Sequence, residues 1–266
     1  MTVAATRMTE CDAPAADFSR RIQRFIQANL PLVPVPSVPE IHLHQAGPKS
    51  GLWRLAELDD DFGAPYWAYP WGGGLALARY VLDHPEIFDG HRILDLGSGS
   101  GLVAIAAAKS GAKEVIAADI DRYAVTAIRL NAEANAAEVL PVFGDLMERP
   151  PPAVDTILIG DLFYEPDLAE RVSIFVDRCL RANIAVLIGD PGRAFLPRSR
   201  LELLAEYPGP DFGDGHQVPQ TRNGVFAFRA RRFRSFLDLR PRFTPPRARR
   251  GCGRRAWRDR APRRRA

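Results

Sequence analysis

The chain is expected to fold as an α/β protein, a three-layer sandwich with a mostly parallel sheet and an N-terminal extension. Three observations carry that expectation. Short apolar runs alternate with helical patterns from Arg92 onward, which implies parallel strands joined by right-handed crossovers. Four of the runs end in an acid just past the apolar stretch, Asp95, Asp119, Asp145 and Asp161; in an open parallel sheet, ligands sit outside the carboxyl ends of the strands. Finally, Ile93-Leu94-Asp95-Leu96-Gly97-Ser98-Gly99-Ser100-Gly101 leads from a strand through a glycine-rich turn into a helix, where the main chain turns sharply and a ligand can approach it.

Taken in order, Phe18, Ile22, Phe25, Ile26 and Leu30 share one face at helical spacing, so residues 18–30 read as an amphipathic helix. Pro31, Pro34, Pro36 and Pro39 make the next stretch extended. Residues 40–58 read as two short strands, with Glu40-Ile41-His42-Leu43-His44 alternating in period two. A cluster of Tyr66, Trp67, Tyr69, Trp71 and Gly72–Gly74 precedes a helix, Leu75 to Asp83, that His84-Pro85 ends. Strands follow at Arg92–Asp95, Glu114–Ala118, Leu140–Phe143, Thr156–Ile159 and Ile184–Ile188. Helices are expected at Arg122–Asn135, with Asp121 as its N-cap, at Pro166–Leu180 and at Arg198–Glu206. A last strand is read at Gly224–Arg229. The organisation is an N-terminal extension over residues 1–64, a main domain over 65–229 and an Arg/Pro-rich tail, expected to be disordered, over 230–266.

The net charge of +4 conceals an asymmetry, because the tail holds fifteen Arg and two acids, +13 in all, and leaves −9 on the rest. Such a tail offers phosphate contacts to nucleic acid, but its aromatic interleaving is sparse, with Trp257 its single tryptophan, and nucleic acid is not the expected partner. No apolar run has membrane-spanning length, and a cytoplasmic location is the expectation. Cys11, Cys179 and Cys252 are scattered, and the histidines have no metal-ligand spacing, so no metal is expected.

The glycine spacing narrows the cofactor. A dinucleotide loop needs Gly-x-Gly-x-x-Gly/Ala; counted from Gly97 the last position is Leu102, and counted from Gly99 it is Ala104, a loose fit. What is present throughout is Asp-x-Gly-x-Gly-x-Gly, from Asp95 to Gly101. Asp119, at the end of the next strand, is placed to accept both hydroxyls of a ribose. Asp145, after the third strand, could reach an adenine amino group, and Asp95 an ammonium. Gly160-Asp161-Leu162-Phe163-Tyr164 supplies a carboxylate and a ring, both of which attract an incoming cationic amine. The glycines at 72–74 read as room for close backbone approach by a ligand.

The Asp95–Gly101 pattern resembles motif I of the class I (seven-β-strand) S-adenosylmethionine-dependent methyltransferases. Together with Pro65-Tyr66-Trp67-Ala68-Tyr69-Pro70-Trp71-Gly72-Gly73, Asp119-Ile120-Asp121 and the Asp161–Tyr164 segment, the chain resembles the electron transfer flavoprotein β-subunit lysine methyltransferase family over roughly residues 18–229. The resemblance implies a Rossmann-like sandwich with a mostly parallel seven-stranded sheet, S-adenosylmethionine as cofactor, and lysine methylation on a protein, either the flavoprotein β subunit or a ribosomal protein. By position it implies Trp71, Asp95, Gly97, Gly99, Gly101, Asp119 and Asp145 as cofactor-binding residues, and Asp161 and Tyr164 as the catalytic pair on the acceptor side. Methylation of a small nicotinamide-like amine is the alternative. An NAD(P)-dependent oxidoreductase is disfavoured by Leu102.

Overall fold

The computed structural model describes residues 13–57, 59–211 and 218–229; the tail expected at 230–266 lies outside the described residues. A seven-stranded sheet has the order β5-β4-β3-β6-β7-β9-β8, with β3 (Arg92–Leu96), β4 (Glu114–Asp119), β5 (Leu140–Phe143), β6 (Thr156–Gly160), β7 (Ala185–Asp190), β8 (Leu201–Asp211) and β9 (Val218–Phe228). The first five are parallel, and β9 runs antiparallel between β7 and β8. Side chains alternate across the strands. Ile93, Ala117, Leu158 and Leu187 pack under α3 (Gly72–Asp83), which the single turn α4 (Pro85–Phe88) follows, α5 (Leu102–Lys109) and part of α6 (Arg122–Ala134). Leu94, Ile157, Ile159, Val186 and Ile188 pack under Val172, Phe175, Val176 and Cys179 of α7 (Pro166–Arg181). These are the three layers expected.

Helix α1 (Ala13–Asn29) buries Ile22 and Ile26, and with them Leu30, against Tyr123, Ala127 and Leu130 of α6, with Trp67 in the same cluster. Next comes a hairpin of β1 (Leu32–Val35) and β2 (Val38–His44). Its first strand lies in the Pro-rich run read as merely extended. A two-stranded sheet consists only of edges, where Pro34 removes no needed donor. Of the two strands expected in 40–58, one is β2, while Trp53–Ala56 is instead a single helical turn, α2. Asn131 of α6, fully buried, accepts the His44 amide at 2.8 Å and donates to Ser100 O at 2.8 Å, so one side chain ties this hairpin to the glycine loop.

The helix expected at Arg198–Glu206 is not formed. Arg198–Arg200 make a short 3-10 turn and β8 begins at Leu201. Leu, Glu and Ala favour a helix locally, but pairing along β9, from Leu201 opposite Phe228 to Asp211 opposite Val218, outweighs that preference.

Helix α3 starts at Gly72, three residues before the expected Leu75. The reason is a backbone contact with the sheet. A β-carbon on Gly73 would overlap the carbonyl oxygen of Gly189 and come within 2.7 Å of Asp161 Oδ2. One on Gly189 would lie 2.8 Å from Leu77 Cβ, and one on Gly160 3.2 Å from Gly74 Cα. The glycines therefore admit the ends of β6 and β7, not a ligand, which corrects the expectation for Gly73. The Gly74 amide then donates to Asp161 Oδ2 at 2.7 Å, so a side chain just past the end of β6 caps α3.

Asp95 does the same for α5. It is buried, and its Oδ2 accepts from Ser98 Oγ at 2.5 Å and from the Ala104 amide at 3.1 Å. Burial raises its pKa to about 7, against those two hydrogen bonds, which favour the charged form.

Two outcomes follow from these contacts. Gly73→Ala is expected to destabilise the fold by about 2–4 kcal/mol through overpacking against backbone. Gly74→Ala, whose β-carbon would meet only Asp161 Oδ2 at 3.9 Å, should be neutral or stabilising by up to about 1 kcal/mol; urea unfolding of the two variants decides whether the neighbours differ in sign. For Asp95, the folded chain keeps, between about pH 4 and 7, a proton that the unfolded chain has released, so stability falls as pH rises through that window. Between about pH 5 and about pH 7.5, Asp95→Asn should lose less stability than the parent by on the order of 1 kcal/mol. Equal losses would show that Asp95 does not titrate there.

Candidate active site

The carboxyl ends of β3, β4, β6 and β7 meet along one edge. At β3 the glycine loop is tied to its neighbour, with the Gly97 and Ser98 amides both donating to Ala118 O at 2.9 and 3.1 Å. Gly97, Gly99 and Gly101 all take left-handed backbone angles, φ 68°, 54° and 85°, which an L side chain rarely adopts. Their surroundings differ. A β-carbon on Gly97 would lie 2.8 Å from the Leu162 side chain, and one on Gly101 3.3 Å from Ile128 Cα. One on Gly99 would meet only Trp67 Cα at 3.7 Å, so this glycine faces open space.

Asp119, the last residue of β4, binds that same glycine. Its Oδ2 accepts the Gly99 amide at 2.8 Å and its Oδ1 the Asp121 amide at 2.9 Å. Each carboxylate oxygen offers two acceptor sites, so Asp119 retains capacity for further donors. Burial raises its pKa, opposed by the Asp121 and Gly99 amides. Asp121 caps α6 as expected, accepting the Tyr123 amide at 2.7 Å. Next to Asp119, Ile120 is 67% exposed, and Phe143, opposite Asp119 in the β4–β5 register, is 60% exposed. Two large apolar side chains thus stand in water beside a half-buried carboxylate. Asp145 lies past β5 with Oδ1 on the Met147 amide at 2.8 Å and Oδ2 in an ion pair with Arg171 of α7.

On the other side of Leu162 stands Asp161, held at φ 57° with its amide on Gly189 O at 3.0 Å. Both carboxylate oxygens are engaged: Oδ2 by the Gly74 amide, and Oδ1 by Arg193 Nη2 at 2.7 Å, an ion pair with side-chain exposures of 9% and 16%. Burial raises the Asp161 pKa to about 6, while the Arg193 charge and both hydrogen bonds pull it down. The rings of Trp71, Tyr66 and Tyr164 adjoin one another: Tyr66 lies 5.6 Å from Trp71 edge-on and 5.8 Å from Tyr164. Trp71 Nε1 donates to Tyr66 O at 2.8 Å, and the Arg193 guanidinium lies 5.7 Å from the Trp71 ring. The Tyr164 phenol is pushed up, first by burial, then by Tyr66, Glu165 and Asp119; Arg193 pulls it down. Tyr164 therefore senses charges from both halves of the edge.

The glycine loop and Asp119 are thus brought together, while Trp71 is joined to Tyr164 through Tyr66 and to Asp161 through Arg193. Asp95 is drawn into the base of the loop, and Asp145 is paired outward to Arg171. Sequence patterning assigns no site role to Ile120, Phe143 or Arg193. The signal for Arg193 is a cation just after Asp190-Pro191-Gly192, a tight turn at a strand end on the ligand edge.

These residues fit S-adenosylmethionine. Gly99 leaves room at the main chain, Asp119 has acceptor capacity for a ribose diol, and Ile120 and Phe143 offer apolar surface to a base. Comparison with known proteins agrees. A family model described as "Ribosomal protein L11 methyltransferase (PrmA)" matches residues 78–157. The chain is similar to the electron transfer flavoprotein beta subunit lysine methyltransferase of Xenopus laevis, 36% identical over 234 residues that cover 85% of this chain and 95% of the relative. The Danio rerio protein of the same name is 38% identical, covering 78% of this chain and 83% of its own. The Homo sapiens protein is 40% identical, covering 65% and 67%. With the glycine loop, Asp119 and the Asp161–Tyr164 segment in place on a seven-stranded sheet, this chain is an S-adenosylmethionine-dependent methyltransferase and belongs to the electron transfer flavoprotein β-subunit lysine methyltransferase family.

Proposed function

We propose that the chain methylates lysine side chains of a protein, with an electron transfer flavoprotein β subunit as first candidate. The observation that carries this reading is the Asp161 carboxylate, joined through Arg193 to the Trp71 ring, with Tyr66 and Tyr164 continuing that ring cluster. A carboxylate and ring faces together suit a cationic amine on a slender stem. The matched PrmA-type segment ends at residue 157, before Asp161, so it speaks to the cofactor half and leaves the acceptor to the full-length relatives.

In this reading Gly97, Gly99 and Gly101 shape the cofactor loop, Asp119 holds the ribose hydroxyls, and Ile120 and Phe143 flank the base. Asp95 sets the loop from beneath by capping α5. Asp145 borders the base, with Arg171 holding one of its oxygens. Trp71 forms the wall between the cofactor and acceptor sides. When bound, S-adenosylmethionine supplies an electrophilic methyl carbon on a sulfonium. The chain's own task is alignment. Asp161 and Tyr164 hold the amine, the ammonium passes its proton to solvent at the mouth of the site, and the rings then shield the free nitrogen as it attacks. Partial burial favours that release, because desolvation disfavours the charged amine.

Two variants separate the halves of the site. Asp119→Ala should weaken S-adenosylmethionine binding by about 100-fold or more, measured by calorimetry, because a buried acceptor of two hydroxyls is lost. Asp161→Asn should keep that affinity within about threefold while transfer of labelled methyl falls by about 100-fold or more. Purified flavoprotein β subunit, ribosomal protein and nicotinamide are offered in parallel. Label in the β subunit supports the reading. Label in ribosomal protein alone moves the substrate, and label in nicotinamide alone overturns lysine methylation.

A further inference from the structure

Arg193 is placed with more care than a surface arginine needs. It follows β7 in a turn whose backbone is organised by Asp190. Asp190 is fully buried, and its Oδ1 accepts the Gly192 amide at 2.6 Å and the Arg193 amide at 2.7 Å. Gly192 takes φ 99°, and its carbonyl accepts Arg198 Nη2 at 2.7 Å. From this turn the guanidinium reaches Asp161 Oδ1 and sits by Trp71, between the carboxylate and the ring that the proposed acceptor site is made of.

Neither the register of β6 against β7 nor the seating of α3 runs through this pair. β6 and β7 are already in register from Thr156 opposite Ala185 to Gly160 opposite Gly189. Helix α3 is seated by glycine backbone and capped through Asp161 Oδ2, the oxygen that Arg193 does not touch. A buried ion pair adds little net stability, since the cost of removing both charges from water offsets their attraction. Orientation is what it supplies, because with an amide on one oxygen and a guanidinium on the other the plane of the carboxyl group is fixed.

We propose that Arg193 is a positioning residue of methyl transfer, fixing the Asp161 carboxylate so that its remaining acceptor sites meet the incoming amine. The inference rests on the reading of Asp161 as the acceptor-side acid. Asp161 feels Arg193 and Asp190 from the β7 turn and the amide at the positive end of α3, while the Tyr164 phenol, next to Tyr66, feels Arg193 along with Glu165 and Asp119. Removing the arginine leaves Asp161 with burial and Asp190, both of which favour its proton. It also leaves the carboxylate uncompensated beside the amine, which favours the ammonium. Both changes push the onset of transfer to higher pH.

The test uses full-length protein with Arg193→Met and Arg193→Lys. Calorimetry gives S-adenosylmethionine affinity, and labelled-methyl transfer to a lysine-containing protein substrate gives kcat and KM between about pH 6 and about pH 9. The expected result is cofactor affinity within about twofold of the parent in both variants. In Arg193→Met, kcat should fall by about tenfold or more with the acidic limb shifted up by about one pH unit. Arg193→Lys should bring the limb part of the way back, because an ammonium restores the charge without the planar fork. A fall in kcat with an unmoved limb, or no fall, overturns the proposal. So does a limb that Arg193→Lys does not bring back. The parent enzyme run alongside separates the two failures: if it transfers no methyl to lysine, the functional reading falls and the inference with it. If it does while the variants keep its profile, only the inference falls.

Discussion

The close seating of α3 against the ends of β6 and β7 sets the geometry of the whole edge. It is a contact of main chain with main chain, made where Gly73 lies against Gly189 and Gly74 against Gly160. Because no side chain intervenes, the N-terminus of α3 reaches the strand ends, and its Gly74 amide meets the Asp161 carboxylate. That hydrogen bond satisfies one of the helix's orphan donors and places an anion at its positive end, two favourable terms from one group. Trp71, the residue before the helix, is thereby set at the mouth of the site, where Tyr66 and Tyr164 join it. A wider spacing at Gly73 would uncouple the cap, the ring cluster and the acid together.

The glycines show how much of this was legible in the sequence. Gly97, Gly99 and Gly101 announce a tight turn after a strand, and all three have positive φ. Yet the reason differs at each position. Gly97 is needed for Leu162, Gly101 for Ile128, and Gly99 alone opens onto space. At 72–74 the same residue type was read as room for a ligand, whereas Gly73 makes room for the protein's own backbone. Glycine reports that something comes close; only the tertiary partner tells what.

The strands show a similar divide. The five parallel strands were legible because each is a short apolar run bounded by turn residues. β8 was not, since Leu201-Glu202-Leu203-Leu204-Ala205-Glu206 is built from helix formers. Two facts outside that window decide for a strand. Tyr207-Pro208-Gly209-Pro210 cannot continue a helix, and β9 needs a partner on the side away from β7. A bulge between Leu203 and Ala205 breaks the simple alternation that would have betrayed the strand. Arg193 escaped for another reason: its partner Asp161 lies thirty-two residues away, just past the end of the neighbouring strand.

A lysine amine attacks only as the free base, so an acceptor site faces a conflict: the carboxylate that attracts the ammonium also opposes its deprotonation. Unit charges about 4 Å apart at an effective dielectric near 20 attract by about 4 kcal/mol, or about three pKa units in the wrong direction. Asp161 is not an isolated charge, however. The guanidinium on Oδ1 and the helix amide on Oδ2 compensate it before any substrate arrives. In the proposed reading, most of the attraction then passes to the faces of Tyr66, Trp71 and Tyr164, where a ring would hold a cation by about 0.5–2 kcal/mol. That is enough to select an amine and too little to keep it protonated. In the proposed reading, the ion pair and the aromatic wall are two parts of one solution: the carboxylate gives direction, and the rings hold the cation without trapping its proton.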